Sequence, residues 1–279
     1  MNIEIYEAGK NQLATFLKIA SGNIDRFMFH VKENNHLHCR FMDASQVALC
    51  TLDLTEDSQL KVIDCEQVFH EKPFSLDVKD FLKMVTYVKN QSILLSSEVS
   101  DDGELQGLNC LIQDQEGEIE KEIILPCFIN ETKQDVPKIK FGENEVNFTI
   151  DAQQFKDLIT ESNEYNSTSL EIETKNGGDI YDMIFTSCDD HNSRKKIKTI
   201  KRSNKDFEIN DGKICDSKVM YSLENVTKLV NVTPAYNKIN IRFAEKQPII
   251  ITYVSEIKEE EALFRTANLD CYLAPKIVD

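Results

Sequence analysis

A unit of strand, capping residue and helix recurs along this chain and constrains its fold more than any other feature of the sequence. Two stretches around Asp77 and Asp151 align without a gap, and in each an alternating strand ends at the Asp that precedes a helix. Apolar residues follow four, seven and eight positions later, which places them on one helix face. The same offsets hold from Ser222 and from Gly9. The sequence therefore predicts four helices, N-capped at these four residues and about seventy residues apart.

Each predicted helix is followed within a few residues by a strand-like run, and polar turns such as Asp101-Asp102-Gly103 separate further short strands. The predicted fold class is α+β, with few helices laid against mostly antiparallel sheet. Two prolines interrupt a polar stretch between the second and third units. We therefore expect two similar domains of two helices each, residues 1–125 and 145–279, joined by an interdomain connector at residues 126–144.

The charge balance limits how such a chain can bind nucleic acid. It has 48 Asp and Glu against 32 Lys and Arg, a net charge of −16, which excludes proteins that coat nucleic acid along their exterior. No apolar run approaches the roughly 20 residues of a membrane span, and the first ten residues alternate instead of forming an export signal. Eight cysteines without a Cys-x-x-Cys pair indicate reduced thiols. We expect a protein that is neither secreted nor in a membrane.

The helix face opposite the apolar one should point away from the sheet. Counting two, six and nine positions from each cap gives four lysines against two carboxylates, although acids outnumber bases in the whole chain. These lysines could form a cationic binding surface. Lysines on surface helices also keep a protein soluble, and both explanations stay open. The residues of these faces are Asn11, Thr15, Lys18, Lys79, Lys83, Thr86, Gln153, Asp157, Thr160, Glu224, Lys228 and Asn231, with Lys156 one step to the side.

Geometry suggests a use for a cationic helix surface. Three copies of a four-helix chain would bring helices of about 10 Å diameter around a hole roughly 28 Å wide, and a DNA duplex is about 20 Å wide. A closed ring holds DNA by topology, so it needs only weak contacts with phosphates and its outer surface can be acidic. At cellular salt the screening length is about 8 Å, so outer carboxylates would act little on DNA in the hole.

Motifs at both ends of the chain resemble one known family. Residues 42–49, Met-Asp-Ala-Ser-Gln-Val-Ala-Leu, resemble the Met-Asp-x-Ser-x-Val-x-Leu segment of the proliferating cell nuclear antigen (PCNA) family, the DNA sliding clamps of eukaryotes, archaea and some large DNA viruses. Residues 248–253 and the terminal Tyr-Leu-Ala-Pro-Lys-Ile at 272–277 look like that family's last strands, and residues 136–141 are similar to the end of its connector. The resemblance spans the chain.

The resemblance implies a DNA-clamp (processivity-fold) architecture: a homotrimeric closed ring around double-stranded DNA, with no enzymatic activity and no cofactor. It implies a docking pocket in front of the connector for short peptides of DNA polymerase, the clamp loader and other replication and repair enzymes. It also implies a nuclear location in a eukaryote, and otherwise the cytoplasm or a viral replication site. The expected DNA contacts are Lys18, Lys79, Lys83, Lys156 and Lys228, and the expected pocket walls are Met42, Ala44, Val47, Val136, Ile139, Phe141, Pro248, Tyr272, Leu273, Ala274, Pro275, Lys276 and Ile277.

The sequence departs from the family pattern on the helices expected to face DNA. The family usually sets basic residues six and nine positions after each cap, and only three of these eight positions are basic in this chain. At the sixth position of the third helix, Asp157 would face phosphate. Residues 194–202 hold six bases and lie outside these faces. This segment is interpreted as a solvated hairpin, a nuclear signal or an added DNA contact.

Two other hypotheses stay open on the sequence. The reduced positive charge also suits a clamp-like accessory or checkpoint subunit that is monomeric or heteromeric and forms no homotrimeric ring. An enzyme with metal-binding carboxylates in a domain cleft is the third reading. We find no nucleophile motif, phosphate-binding Gly-rich loop or Cys/His signature, and His36-x-His38 has no third ligand at a suitable spacing. We therefore expect neither an enzyme nor a metal site.

Overall fold

The computed structural model of the 279-residue chain describes residues 1–56, 59–65, 70, 72–87, 92–99, 105–113, 119–129, 139–142, 145–164, 167–176, 181–189, 194–201, 207–209, 216–230, 235–259 and 262–276. The chain divides into two compact units, unit 1 (Met1–Ala44 and Cys50–Val136) and unit 2 (Ser45–Leu49 and Pro137–Asp279). The helices of the described residues are α1 (Glu7–Ser21) and α2 (Val78–Tyr87) in unit 1, and α3 (Ala152–Asn163) and α4 (Leu223–Leu229) in unit 2.

Unit 1 contains two groups of mainly antiparallel strands. The strands are β1 (Asn2–Ile5), β2 (Arg26–Val31), β3 (Leu37–Met42), β4 (Ala48–Leu54), β5 (Leu60–Asp64), β6 (Phe74–Asp77), β7 (Ile93–Val99), β8 (Leu105–Gln113), β9 (Ile119–Pro126) and β10 (Phe128–Ile129). One group has the order β5-β1-β7-β8-β9, and the other has the order β10-β6-β2-β3-β4. Pairs such as β1–β7 and β2–β3 are antiparallel.

Unit 2 repeats this strand order. Its strands are β11 (Val146–Asp151), β12 (Ser169–Asn176), β13 (Tyr181–Cys188), β14 (Arg194–Lys201), β15 (Phe207–Ile209), β16 (Ser217–Ser222), β17 (Lys238–Phe243), β18 (Ile249–Glu259) and β19 (Ala262–Leu273). The orders β15-β11-β17-β18-β19 and β16-β12-β13-β14 match, strand for strand, those of unit 1 without β10. The two halves of the sequence repeat therefore fold with the same strand order, and the predicted α+β class is confirmed.

Aromatic side chains from helices and sheet fill the cores. In unit 1 the ring centroids of Phe16 on α1 and Phe27 on β2 are 5.7 Å apart, and Phe81 on α2 stacks on Phe27 at 5.7 Å. All three rings are at most 1% exposed. In unit 2, Phe148 and Phe243 pack edge to face at 6.5 Å. Helix α1 lies beside α2, and α3 lies beside α4. The apolar helix faces therefore cover sheet, and the opposite faces are left to solvent.

Three of the four predicted N-caps are confirmed. The carboxylates of Asp77 and Asp151 accept from the backbone N–H three residues later, at 3.0 and 2.9 Å. The hydroxyl oxygen of Ser222 accepts from the equivalent N–H at 3.4 Å. Each of these residues is also the last residue of a strand. Strand and helix therefore follow one another with no loop between them.

The predicted cap at Gly9 is wrong. Helix α1 begins two residues earlier, at Glu7, with Tyr6 in the N-cap position and no side-chain cap bond. Gly9 lies in the first turn, where an added Cβ would stand 2.3 Å from the carbonyl oxygen of Gln59. Glycine is therefore present because the backbone of a distant loop approaches the helix closely, a reason that local sequence does not reveal.

The expected connector at residues 126–144 is described in part. Pro126 ends β9, Phe128–Ile129 forms β10 against β6, and residues 139–142 have no regular structure. Residues 130–138 and 143–144 lie outside the described part, so the domain bounds predicted from the sequence stay a prediction. Within the described residues, no helix has the length and apolar character needed to cross a membrane.

Candidate nucleic-acid interface and peptide pocket

The five lysines expected to contact DNA are all exposed on helices. Lys18 lies in the last turn of α1, Lys79 and Lys83 lie on α2, Lys156 on α3 and Lys228 on α4. Each is held outward because the residues beside it on the same helix, such as Phe81 on α2, are buried against the sheet. The helices thus present the predicted cations to solvent in both units.

The predicted face of α1 is wrong at Thr15. This residue is fully buried, and its hydroxyl donates to the Asn11 carbonyl oxygen at 3.0 Å. Gln12 is also buried and accepts from the Gln59 amide at 2.7 Å, so α1 is covered on a side that the pattern left to solvent. The remaining predicted positions, Asn11, Thr86, Gln153, Asp157, Thr160 and Glu224, are exposed, and Asn231 lies outside the described residues.

Two of the five lysines are bonded to carboxylates on their own helices. Lys83 Nζ lies 3.3 Å from Asp80 Oδ1, and Lys228 Nζ donates to Glu224 Oε1 at 2.7 Å. The bond from Lys228 and its charge lower the pKa of Glu224. Both pairs are exposed, so water and salt screen them. The other three lysines have no side-chain partner among the residues that the structure describes.

Counted over all exposed helix residues, the charges cancel. Five lysines are balanced by five carboxylates, Glu7, Asp80, Asp157, Glu161 and Glu224. A further lysine, Lys10, is 2% exposed, and burial lowers its pKa. The exposed face is wider than the three positions per helix used in the sequence count, and acids at its margins remove the positive excess. The helix faces are therefore neutral, not cationic, in their sum.

The residues expected to form the peptide pocket differ in burial. Leu273 is fully buried in the core of unit 2, and Ala44 is exposed. Phe141 lies with its ring 5.2 Å from the Arg242 guanidinium. Val136 and Ile277 lie outside the described residues. The half-buried members are Met42, Val47, Ile139, Phe141, Pro248, Tyr272, Ala274 and Pro275, and Lys276 is exposed.

The tail that follows β19 is fixed by three hydrogen bonds within unit 2. The N–H of Ala274 donates to the Val47 carbonyl oxygen at 3.0 Å. The N–H of Lys276 donates to the Met220 carbonyl oxygen at 2.8 Å. Lys276 Nζ donates to Ser169 Oγ at 2.7 Å. The structure therefore brings together the first and last motifs of the resemblance at Val47 and Ala274.

Two cavities of unit 2 share Ala274, Pro275 and Lys276 as walls. The larger, of 1190 Å³, is completed by β12, β16 and the turn after β17, and the smaller, of 800 Å³, by Val47, the end of α3 and α4. Sequence reasoning missed the walls from β12 and β16. These strands reach the tail only through their pairing in the sheet, and no local motif marks them.

His38 of the His36-x-His38 pair contacts a carboxylate. His38 Nδ1 lies 2.9 Å from Asp53 Oδ1, and Lys32 Nζ donates to the same oxygen at 2.6 Å. Burial alone would raise the pKa of Asp53, but the hydrogen bond and charge of His38, and then of Lys32, lower it to about 2. Among the described residues, no group of three or more His, Cys, Asp or Glu side chains is arranged to hold a metal ion.

Comparison of the whole chain with solved structures identifies the fold. PCNA from Thermococcus kodakaraensis matches with a TM-score of 0.72 and 17% identity, over 98% of this chain and 100% of that chain. The proliferating cellular nuclear antigen of Entamoeba histolytica matches with a TM-score of 0.72 and 15% identity, over 99% and 98%. The PCNA2–PCNA3 complex of Sulfolobus tokodaii matches with a TM-score of 0.68 and 17% identity, over 99% of each chain.

Comparisons by sequence give a different result. No protein-family model matches the chain, and no curated protein matches it. At 15 to 17% identity the structural matches establish architecture and not activity. The chain has a PCNA-like clamp fold over its full length, as the terminal motifs indicated.

Proposed function

We propose that this protein is a DNA sliding clamp, a processivity factor that encircles duplex DNA and tethers replication and repair enzymes. The observation that supports this most strongly is the match to PCNA structures over 98 to 99% of the chain. In this proposal the protein is not an enzyme and needs no cofactor. It would act in the nucleus of a eukaryote, or otherwise in the cytoplasm or at a viral replication site.

Two sheet edges support assembly from identical chains. Among the described strands, β9 ends its sheet in unit 1 and β14 ends its sheet in unit 2. Five of the eight residues of β14 are Lys or Arg, whereas β9 has two Glu and one Lys. Ile124 on β9 is 53% exposed, and Lys121 Nζ on the same strand lies 3.8 Å from the ring of Tyr87, which is 65% exposed. Pairing β9 of one copy with β14 of the next is head-to-tail, and such contacts can close into a ring.

In this proposal the exposed helix faces line the hole. A homotrimer would place twelve helices around DNA, with Lys18, Lys79, Lys83, Lys156 and Lys228 of each chain facing the phosphates. Because these faces are neutral in sum, enclosure and not attraction would keep the ring on DNA. Contacts of this kind do not read base sequence, so the ring would slide on any duplex.

The tail of unit 2 is the proposed docking site for partner peptides. Ala274, Pro275 and Lys276 border two cavities and are held in place by backbone hydrogen bonds. A preformed cavity of this size accepts a short peptide that inserts one or two side chains. DNA polymerase and the clamp loader are the proposed partners. The expected pocket residues that also lie in unit 2 would complete its apolar wall: Val47, Ile139, Phe141, Pro248 and Tyr272.

A heteromeric clamp subunit is the second candidate. One of the similar structures is a complex of two different subunits, PCNA2 and PCNA3, and the neutral helix faces also suit a chain that meets DNA only beside a more basic partner. The mass of the purified chain in solution separates the two candidates. A homotrimer supports the leading proposal, and a chain that stays monomeric at micromolar concentration contradicts it.

The residue-level test is a double substitution, Lys83→Glu with Lys228→Glu. A clamp should lose its stimulation of a DNA polymerase on primed circular DNA, because the substitution lowers the charge that faces the phosphates by four per chain: two positive charges are removed and two negative charges are added. The matched control is Lys61→Glu with Lys72→Glu, two exposed lysines outside the helices. Circular dichroism and solution mass should match the wild type in both variants. Undiminished stimulation by the helix variant would show that these faces do not meet DNA.

A further inference from the structure

The sixth position after the N-cap offers no unpaired cation on any of the three helices that begin at Asp77, Asp151 and Ser222. On α2 this position is Lys83, bonded to Asp80, and on α4 it is Lys228, bonded to Glu224. On α3 the same position is occupied by Asp157, which accepts from the Gln153 amide at 2.6 Å. The lysine positions nearest the middle of the exposed faces are therefore countered by a carboxylate one helical turn away.

The two carboxylates also have an ordinary structural reason to be there. Asp80 and Glu224 lie in the first turns of α2 and α4, where a negative charge interacts favourably with the helix dipole. An exposed pair at this spacing contributes little to the stability of the helix, because water and salt screen it. A phosphate that approached either lysine would have to displace the carboxylate and would be repelled by it, because the carboxylate lies within the screening length of about 8 Å. The pairs therefore affect DNA contact more than stability.

We infer that Asp80 and Glu224 act as counter-charges that keep Lys83 and Lys228 from binding phosphate firmly, so that the ring slides on DNA and does not adhere to it. The inference rests on the proposed function, because it takes the exposed helix faces as those that meet DNA. It assigns to the two acids the weakening of sequence-independent DNA binding. Neutralising them should convert a ring that depends on enclosure into one that also binds open, linear duplex.

The test compares the wild type with the double variant Asp80→Asn, Glu224→Gln. Fluorescence anisotropy of a labelled linear duplex, measured from low to high salt, gives the slope of log affinity against log salt concentration. Each lysine released to a phosphate should add about 0.9 to the slope and about fivefold to the affinity at 0.15 M salt. The matched control is Glu33→Gln with Asp64→Asn, two exposed acids outside the helices that change the net charge equally. The control should leave slope and affinity near the wild-type values.

Two results would overturn the inference. One is a double variant whose slope equals that of the wild type or of the control. The other is a raised slope that persists when Lys83→Gln and Lys228→Gln are added, since the gain would then not come from these lysines. Retention of the wild type on circular DNA after loading tests the proposed function separately. A wild type that is retained while the acid substitutions change nothing refutes the counter-charges alone, and a wild type that is never retained refutes the clamp.

Discussion

Replacing Gly9 by Ala should destabilise unit 1 through a steric conflict with Gln59. The new methyl group would stand 2.3 Å from the Gln59 carbonyl oxygen and 3.0 Å from its carbonyl carbon. That oxygen already accepts the Tyr6 N–H at 2.9 Å. The side chain of Gln59 bonds Gln12 on one side and the backbone N–H of Thr55 on the other, at 2.7 Å each. The loop can therefore move away from the helix only by weakening several hydrogen bonds.

The size of the effect follows from opposing contributions. Overpacking a closed interior costs about 1 to 3 kcal/mol, and each hydrogen bond weakened around Gln59 contributes about 1 kcal/mol. Alanine is the better helix former, which offsets about 1 kcal/mol. We expect the free energy of unfolding to fall by about 2 kcal/mol.

Urea unfolding followed by circular dichroism, at one protein concentration for all variants, measures this loss. With a denaturant slope of about 2 kcal/mol per molar, the midpoint should fall by about 1 M. The matched control is Gly22→Ala at the C-terminal end of the same helix, where φ is −86° and an added Cβ meets only the Ile19 carbonyl oxygen, at 3.7 Å. That variant should be as stable as the wild type. A Gly9→Ala protein with an unchanged midpoint would refute the close-approach explanation of this glycine.

Two further predictions concern stability. Asp53 has a folded pKa of about 2 against 3.8 unfolded, so its ion pairs stabilise the fold above about pH 4 and that contribution is lost as the pH falls toward 2. Because the side chain is 38% exposed, screening limits the effect to about 1 kcal/mol. Asp53→Asn should lower the free energy of unfolding by that amount at pH 7 and by almost nothing at pH 2. A difference between the two proteins that does not depend on pH would contradict the assignment. Phe81→Ala should lower the free energy of unfolding by about 3 to 5 kcal/mol, because the ring of Phe81 is fully buried against Phe27. Thr86→Ala, on the exposed side of α2, should change it by no more than about 0.5 kcal/mol. Equal thermal midpoints for these two variants would contradict the core placement of Phe81.

The repeat was predictable because it depends on short-range chemistry. Where a strand ends at Asp77 or Asp151 and apolar residues follow at helical spacing, the local sequence shows which residue caps the helix and which helix face is buried. The strands that follow the helices, such as Lys238–Phe243, lie where the alternation predicted them. The terminal motifs then indicated the clamp fold, which the whole-chain structural matches confirm.

What the sequence did not reveal depends on distant parts of the chain. The sequence pattern predicts a cap at Gly9, because the constraint that requires glycine there, the backbone of Gln59, lies fifty positions away. The periodicity of α1 predicts that Thr15 is exposed, because it does not show that this side of the helix is covered as well. The predicted faces omit the acids Glu7, Asp80 and Glu161, since a face of three positions per helix is narrower than the part of the helix that solvent reaches. Each error arises where tertiary packing decides exposure.

The direct passage from strand to helix at Asp77, Asp151 and Ser222 limits what the helices can do independently. With no intervening residues to act as a hinge, a helix can tilt or shift only if the strand before it, and the ladder of hydrogen bonds around that strand, moves too. The outward lysines of α2, α3 and α4 are then held in place as firmly as the strand that precedes each of these helices. These helices have little freedom to adjust to a bound nucleic acid. A flexible nucleic acid at these surfaces would therefore have to adjust to the protein, by tilting, by shifting its position or by contacting the lysines through water.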